Sequence, residues 1–168
     1  RAPLFDRAAA IQGFADALDQ GADLAVCNHV SNVFGFIQPL EDIAALCRER
    51  DVPLIVDASQ SAGSVTVSAA ALGAAYIALP GHKGLYGPQG TGLLLCGGMP
   101  NPLMEGGTGS ASMDIEMPDF LPDRLEAGTH NMPGIAGLSA GLDYVLKTGT
   151  DRILCHERRL IRMAACAG

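Results

Sequence analysis

The chain has 168 residues, of which 48% are hydrophobic, 17% charged and 5% aromatic, and it contains no tryptophan. This composition is typical of one globular domain with an aliphatic core, and it excludes a disordered tail. The net charge of −7 disfavours a nucleic-acid partner. The one cationic cluster, formed by Arg158, Arg159 and Arg162, has the spacing of a solvated helix face.

Five cysteines are widely and irregularly spaced: Cys27, Cys47, Cys96, Cys155 and Cys166. They form no Cys-x-x-Cys pair, so the spacing indicates no metal site. Their odd number and apolar surroundings indicate reduced, buried thiols and a cytoplasmic protein. Apolar runs are too short to cross a bilayer, so we expect no membrane partner. The chain starts at Arg1 instead of Met and ends at Gly168 within a helical pattern, which we interpret as a fragment.

Helices and strands are predicted to alternate along the first part of the chain. In chain order, the pattern predicts a helix over 5–20, a strand over 24–27, a helix opening at Pro39, a strand over 53–56, a helix over 68–72, and strands over 76–79 and 92–96. The strand over 53–56 is apolar throughout, as expected of a strand covered on both faces. The alternation predicts an α/β fold with a mainly parallel sheet flanked by helices.

The second part of the chain begins with residues 97–130, which lack periodicity and predict a long functional loop. A helix over 133–147 follows and ends at Gly149. Thr150 is expected to cap a last helix over 151–165. The predicted apolar face of this last helix consists of Ile153, Leu154, Leu160 and Ile161.

Three polar residues fall just after predicted strands: Asn32, Asp57 and Lys83. Parallel α/β sheets bind ligands at the carboxyl ends of their strands. We therefore expect these three side chains to share one edge of the sheet.

Lys83 differs in its surroundings from the solvated lysines that are common on protein surfaces. It follows an apolar strand within Pro-Gly-His-Lys-Gly, and the string GPQGTG (87–92) comes shortly after it. The glycines predict a backbone that approaches a ligand closely and offers its amides to a phosphate. A lysine desolvated in such a pocket acts as a nucleophile towards an aldehyde.

Asp57, Asn32 and His29 each have two interpretations. Asp57 either caps the segment after its strand or faces the ring nitrogen of a pyridine cofactor, and Gln60 could then donate to the phenolic oxygen of that ring. His29 and Asn32 could simply satisfy backbone groups of their loop. Asn32 gains weight from sharing an edge with Asp57 and Lys83.

Four strings of this sequence resemble those of class V aminotransferase-fold enzymes. They are HVSNVFG (29–35), VDASQSAG (56–63), GHKGLYGPQGTG (81–92) and EAGTHN (126–131). Within that class they most resemble the cysteine desulfurase and selenocysteine lyase group. Each string alone is a weak signal, but their order and spacing together are specific. The resemblance implies the central part of the large domain of a fold-type I enzyme that uses pyridoxal 5'-phosphate (PLP).

The resemblance also implies roles for matching residues. Lys83 corresponds to the catalytic lysine that holds PLP as a Schiff base, and Asp57 to the partner of the pyridinium nitrogen. The remaining implied cofactor contacts are Gln60 at the phenolic oxygen, Asn32 near that oxygen and the substrate carboxylate, His82 at the phosphate, and Thr129 at the phosphate of a neighbouring subunit. The implied activity releases sulfur from L-cysteine, or selenium from selenocysteine, and leaves alanine. The implied partners are a second copy of the chain, an amino-acid substrate and a sulfur-acceptor protein.

The sequence departs from the family pattern at Pro80, where many desulfurases carry a hydroxyl residue that contacts the phosphate. Members of the family are more than twice as long as this chain. We therefore expect an upstream phosphate-binding loop, a downstream persulfide cysteine and a carboxylate-binding arginine to lie outside it, and the fragment to be inactive alone. Two alternatives stay open: another class V enzyme, such as a transaminase, epimerase or other lyase, or a non-catalytic dimerisation module of the same fold.

Overall fold

The computed structural model describes residues 5–111 and 113–166, so the two chain ends at Arg1 and Gly168 lie outside the described residues. Nine of its elements carry labels in chain order: α1 (Arg7–Asp19), β1 (Ala25–Asn28), α2 (Leu40–Glu49), β2 (Leu54–Asp57), α3 (Ala69–Leu72), β3 (Tyr76–Pro80), β4 (Gly92–Cys96), α4 (Met132–Thr148) and α5 (Thr150–Cys166). Each predicted helix and strand is confirmed, with bounds that differ by a few residues. Within the described residues, no helix combines the length and the hydropathy needed to cross a membrane.

The strands form one sheet in the order β1-β2-β3-β4. β1, β2 and β3 are parallel, whereas β4 runs antiparallel to β3. The direction follows from the connections. The chain returns through α2 and α3 between parallel neighbours, but it passes from β3 to β4 through a loop without a helix. The predicted mainly parallel sheet is therefore confirmed.

The core lies on one face of this sheet and is aliphatic, as the composition predicts. Cys27, Val56 and Ile77 from the three parallel strands are at most 2% exposed, and Ile43 and Cys47 of α2 belong to the same buried cluster. Their burial supplies most of the energy that holds α2 on the sheet, because each fully buried aliphatic side chain contributes about 1.5–3 kcal/mol.

The other face of the sheet is largely open in this chain. Val26 is 63% exposed, Ile55 is half-buried, and Leu94 of β4, which pairs with Ala78 on this face, is 51% exposed. The prediction that the apolar strand over 53–56 is covered on both faces is therefore wrong within the described residues. An apolar strand indicates that both faces can be covered, but it does not identify the element that covers them.

The two C-terminal helices differ in how they are packed. Leu138 and Val145 of α4 are buried, whereas Ile153 is the one buried residue of α5 among those described. Leu160 and Ile161 are 50% and 67% exposed, so the predicted apolar face of α5 is uncovered along most of its length. The cationic cluster of α5 is exposed, as predicted.

The long segment before α4 is irregular apart from a 3-10 turn at Asp123–Leu125. Arg124 ties it together through hydrogen bonds from its guanidinium to the carbonyl oxygen of Pro100 (2.8 Å) and to the carboxylate of Asp119 (2.9 Å). Large apolar side chains project from this segment: Leu103 is 97% exposed, Met113 97% and Ile115 94%.

Candidate active site

The carboxyl ends of the three parallel strands meet at one edge of the sheet. Asp57, the last residue of β2, pairs with Asn28 of β1 and with Ala78 of β3. Lys83 follows three residues after β3 ends at Pro80. Because β4 is antiparallel, its first residue also lies at this edge, and the Gly81 amide donates to the Thr91 carbonyl oxygen (2.8 Å). The backbone therefore places the Asp57 and Lys83 segments at a common edge.

Asp57 is exposed, and a tight turn fixes its carboxylate. Its Oδ1 atom accepts a hydrogen bond from the Ser59 amide (2.9 Å). Its other carboxylate oxygen has no hydrogen bond or ion pair within the described part of the chain. Gln60 is exposed on the same turn. The turn thus combines the capping interpretation of Asp57 with an oxygen that remains available to a ligand.

Asn32 lies in a narrow loop that begins directly after β1. The loop is closed by an isolated bridge between Val30 and Ile37 and by a hydrogen bond from the Gln38 amide to the His29 carbonyl oxygen (2.8 Å). Asn32 is exposed within this loop. The loop is joined to β2 at its base, because the His29 amide donates to the Asp57 carbonyl oxygen (2.9 Å).

His29 occupies the junction between this loop and β2. It is only 3% exposed, and its Nδ1 atom has no hydrogen-bond partner among the described residues. Burial lowers its pKa, and the nearby negative charge of Glu41 opposes that shift only in part. The lowered pKa favours the neutral imidazole, and the main chain of His29, not its ring, joins the Asn32 loop to β2.

Lys83 and His82 are both exposed on the loop between β3 and β4. The sequence predicts a desolvated lysine, but within the described residues the Lys83 ammonium has no hydrogen bond or ion pair, and the side chain is exposed to solvent. The predicted burial of this lysine is thus wrong for the chain as described. Its loop is ordered by bonds from the Tyr86 amide to the Lys83 carbonyl oxygen (3.0 Å) and from the Gly87 amide to the Gly81 carbonyl oxygen (2.8 Å).

The glycines of this loop were predicted to let the backbone approach a ligand, but two of them face neighbouring protein atoms instead. A Cβ on Gly84 would lie 2.2 Å from the Ala62 carbonyl oxygen, and a Cβ on Gly87 would lie 2.8 Å from the Leu138 side chain. These two glycines therefore make room for neighbouring protein. Only around Gly90, with φ +76°, is the space within 4 Å of a Cβ empty, which leaves this part of the loop open to a ligand.

Thr129 lies in the irregular segment just before α4. It is exposed, and it lines a cavity of about 430 Å³ together with Thr108, His130 and Met132, but with none of the other predicted cofactor residues. The Gly128 amide donates to the Gly107 carbonyl oxygen (2.8 Å), and this bond joins the part of the irregular segment that carries Thr129 to an earlier part of the same segment.

Two features of the site were missed by sequence reasoning. Gly63 packs against the Lys83 loop from the Asp57 side, and Gly141 of α4 packs against it from the opposite side, where a Cβ would lie 2.3 Å from the Leu85 carbonyl oxygen. The spacing of Gly134, Gly137 and Gly141 places three glycines on one side of a helix. This spacing could have predicted that another segment packs closely against α4.

The residues at the edge fit PLP by their chemistry. The cofactor offers an aldehyde, a pyridine nitrogen and a phosphate. Among the described residues, the edge offers a primary amine without a partner at Lys83, a carboxylate oxygen without a partner at Asp57, and open backbone around Gly90. The chain is thus an α/β domain with a candidate cofactor site at the carboxyl ends of its parallel strands.

Comparison with known proteins agrees with that class. The family model "Aminotransferase class-V" matches residues 5–166, so the chain belongs to the class V aminotransferase family. A probable cysteine desulfurase of Methanothermobacter thermautotrophicus is 38% identical over 153 residues, which cover 86% of this chain and 38% of that protein. A cysteine desulfurase of Salmonella newport is 36% identical over 162 residues, which cover 92% of this chain and 39% of that protein.

Solved structures show the same fold. The apo cysteine desulfurase of Thermococcus onnurineus superposes with a TM-score of 0.77 and 31% identity, covering 95% of this chain and 40% of that one. The cysteine desulfurase CsdA of Escherichia coli superposes with a TM-score of 0.72 and 25% identity, covering 91% and 41%. The predicted fold class and family resemblance are thus confirmed, and the chain spans about two fifths of the length of these relatives.

Proposed function

We propose that this chain forms the cofactor-binding part of a PLP-dependent, cysteine desulfurase-like enzyme. The observation that carries the proposal is the shared sheet edge, where Lys83 and Asp57 lie on segments in direct backbone contact. In the described part of the chain, the Lys83 amine and one Asp57 carboxylate oxygen have no partner. The names of the relatives support the desulfurase reaction over other class V reactions. The substrate would be L-cysteine or selenocysteine, and alanine would be the product.

Each edge residue has a role that its position supports. Lys83 would bind the cofactor covalently through its ε-amine and would later move a proton to or from the substrate. Asp57 would hold a negative charge against the pyridine nitrogen, while the Ser59 amide keeps the carboxylate oriented. Bound PLP supplies an electron sink for the bond that breaks at the substrate.

Three further residues would complete the contacts. Gln60, on the turn after Asp57, would donate to the phenolic oxygen, and Asn32 would stand between that oxygen and the substrate carboxylate. His82, next to Lys83, would contact the phosphate. Pro80 has neither a side-chain hydroxyl nor an amide hydrogen, so the phosphate contact that a hydroxyl residue makes in many relatives would come from the open backbone around Gly90.

The test uses the two lysines of the chain, Lys83 and Lys147. In the full-length protein, borohydride should fix PLP to the peptide that contains Lys83, as detected by mass spectrometry. Lys83→Ala should abolish this labelling and the visible absorbance band, whereas the exposed control Lys147→Ala should retain both. Labelling that survives in Lys83→Ala would refute the assignment.

The reaction is tested separately by its products. Purified full-length protein with L-cysteine should release alanine and sulfide in the presence of a thiol acceptor. Transfer of the amino group to a keto acid, or racemisation, would instead identify another class V enzyme. A full-length protein that binds no PLP would favour the non-catalytic module.

We also propose a homodimer in which Thr129 reaches the phosphate in the neighbouring subunit. In support, Thr129 is exposed and lines a cavity that contains none of the other predicted cofactor residues. The adjoining irregular segment projects apolar side chains such as Leu103 and Ile115, which are 97% and 94% exposed and suit a contact with a second copy.

Subunit mixing tests this arrangement. Lys83→Ala and Thr129→Val dimers should each be impaired. If Thr129 acts across the interface, a mixed dimer has one site with both native residues, so exchange of subunits should restore activity. If both residues served the same subunit's site, mixing would restore none.

A further inference from the structure

Two proposed site segments touch through backbone alone. Gly63 ends the turn that follows Asp57, and Gly84 directly follows Lys83. A Cβ on Gly63 would lie 1.8 Å from the Gly84 carbonyl oxygen, and a Cβ on Gly84 would lie 2.2 Å from the Ala62 carbonyl oxygen. Real Cβ atoms do not approach other atoms closer than 3.0 Å, so this contact requires glycine on both sides.

The Asp57 side of the contact is rigid. The Ala58 amide donates to the Ala78 carbonyl oxygen (3.0 Å), and the Ala62 amide donates to the Ala58 carbonyl oxygen (2.9 Å). Ala58 and Ser61 are fully buried. The turn is therefore anchored to β3 through the Ala58 amide, and burial of Ala58 and Ser61 opposes its movement.

The Lys83 side of the contact is a loop held at three points. Leu85 is 5% exposed and belongs to the core cluster together with Leu138 of α4. Tyr86 has φ +56°, a strained conformation for a residue with a side chain, and its ring packs edge-on against Tyr144 (centroids 5.1 Å apart). α4 thus fixes one side of the loop, and Gly84 fixes the other side against the Asp57 turn.

We propose that Gly63 and Gly84 are positioning residues that set the distance between the Lys83 amine and the Asp57 carboxylate. The inference rests on the proposed function, because it concerns the two groups that would hold PLP. A methyl group on Gly84 has to move from 2.2 Å to at least 3.0 Å from the Ala62 oxygen, so the two segments must separate or rotate. A displacement on the order of 1 Å is enough to lower reactivity about a hundredfold.

The experiment compares Gly84→Ala in two backgrounds of the full-length protein. With Lys83 present, Gly84→Ala should weaken PLP binding about tenfold or more, a smaller factor than the roughly hundredfold loss expected for reactivity. It should also shift the pH at which the visible band is half-converted. In the Lys83→Ala background, the same substitution should change PLP affinity less than twofold, because the amine it misplaces is gone. Gly63→Ala should behave like Gly84→Ala.

Gly98→Ala is the matched control, because nothing lies within 4 Å of its Cβ and its backbone does not require glycine. It should leave affinity and spectrum unchanged. Equal losses of PLP affinity in both Lys83 backgrounds, or unfolding of both the Gly63 and Gly84 variants, would assign the contact to folding and overturn the proposal. If Lys83→Ala alone left covalent PLP labelling intact, the proposed function would fail instead.

Discussion

Acidification should destabilise this protein through His29. The imidazole is 3% exposed, and burial lowers its pKa, so the native state resists protonation. The unfolded chain takes up that proton near the usual value of about 6.5. Below that pH, the unfolded state binds one proton more than the native state, and stability is lost as pH falls towards the depressed pKa.

The magnitude follows from proton linkage. One proton taken up only by the unfolded state lowers the free energy of unfolding by about 1.4 kcal/mol per pH unit within this window. The loss should appear first in the Asn32 loop, because His29 bonds through its backbone to both Asp57 and Gln38. A charged imidazole there would have no hydrogen-bond acceptor at Nδ1 among the described groups.

Urea denaturation at pH 7.5, 6.5 and 5.5 measures the effect. His29→Gln should show a shallower decline in the free energy of unfolding between pH 6.5 and 5.5 than the wild type. His156→Gln, at an exposed position of α5, is the control and should keep the wild-type slope. Parallel curves for the wild type and His29→Gln would refute the reasoning.

Three further outcomes are expected. Burial raises the pKa of the Cys27 thiol to about 11. At pH 8 this thiol should therefore react with a thiol reagent far more slowly than the exposed Cys155 thiol, and equal rates would contradict the packing of β1. Gly141→Ala should lower the free energy of unfolding by about 1–3 kcal/mol in chemical denaturation, because its Cβ would lie 2.3 Å from a backbone oxygen of the Lys83 loop. Arg48→Ala should cost about 1 kcal/mol, since the guanidinium donates to two carbonyl oxygens at the end of α3, and an unchanged midpoint would show that solvent replaces it.

Local patterns were sufficient for much of the fold. Periods of 3.6 and 2 residues depend on neighbours in the chain, so the helices and parallel strands could be predicted without knowing what they contact. The edge that carries Asp57 and Lys83 followed from the same reasoning, because parallel strands end on one side of a sheet. The class V motifs are also local strings, so the sequence by itself indicates the family.

The tertiary structure alone decided how closely these parts approach each other. A Cβ on Gly63 or Gly84 would lie 1.8 Å or 2.2 Å from a carbonyl oxygen of the facing segment. The two segments are about twenty residues apart in the chain, so no local sequence pattern encodes how closely they approach. The same holds for the exposure of Lys83 and of the apolar face of α5. A sequence pattern specifies which face of an element is apolar or reactive, but burial depends on which other elements pack against that face.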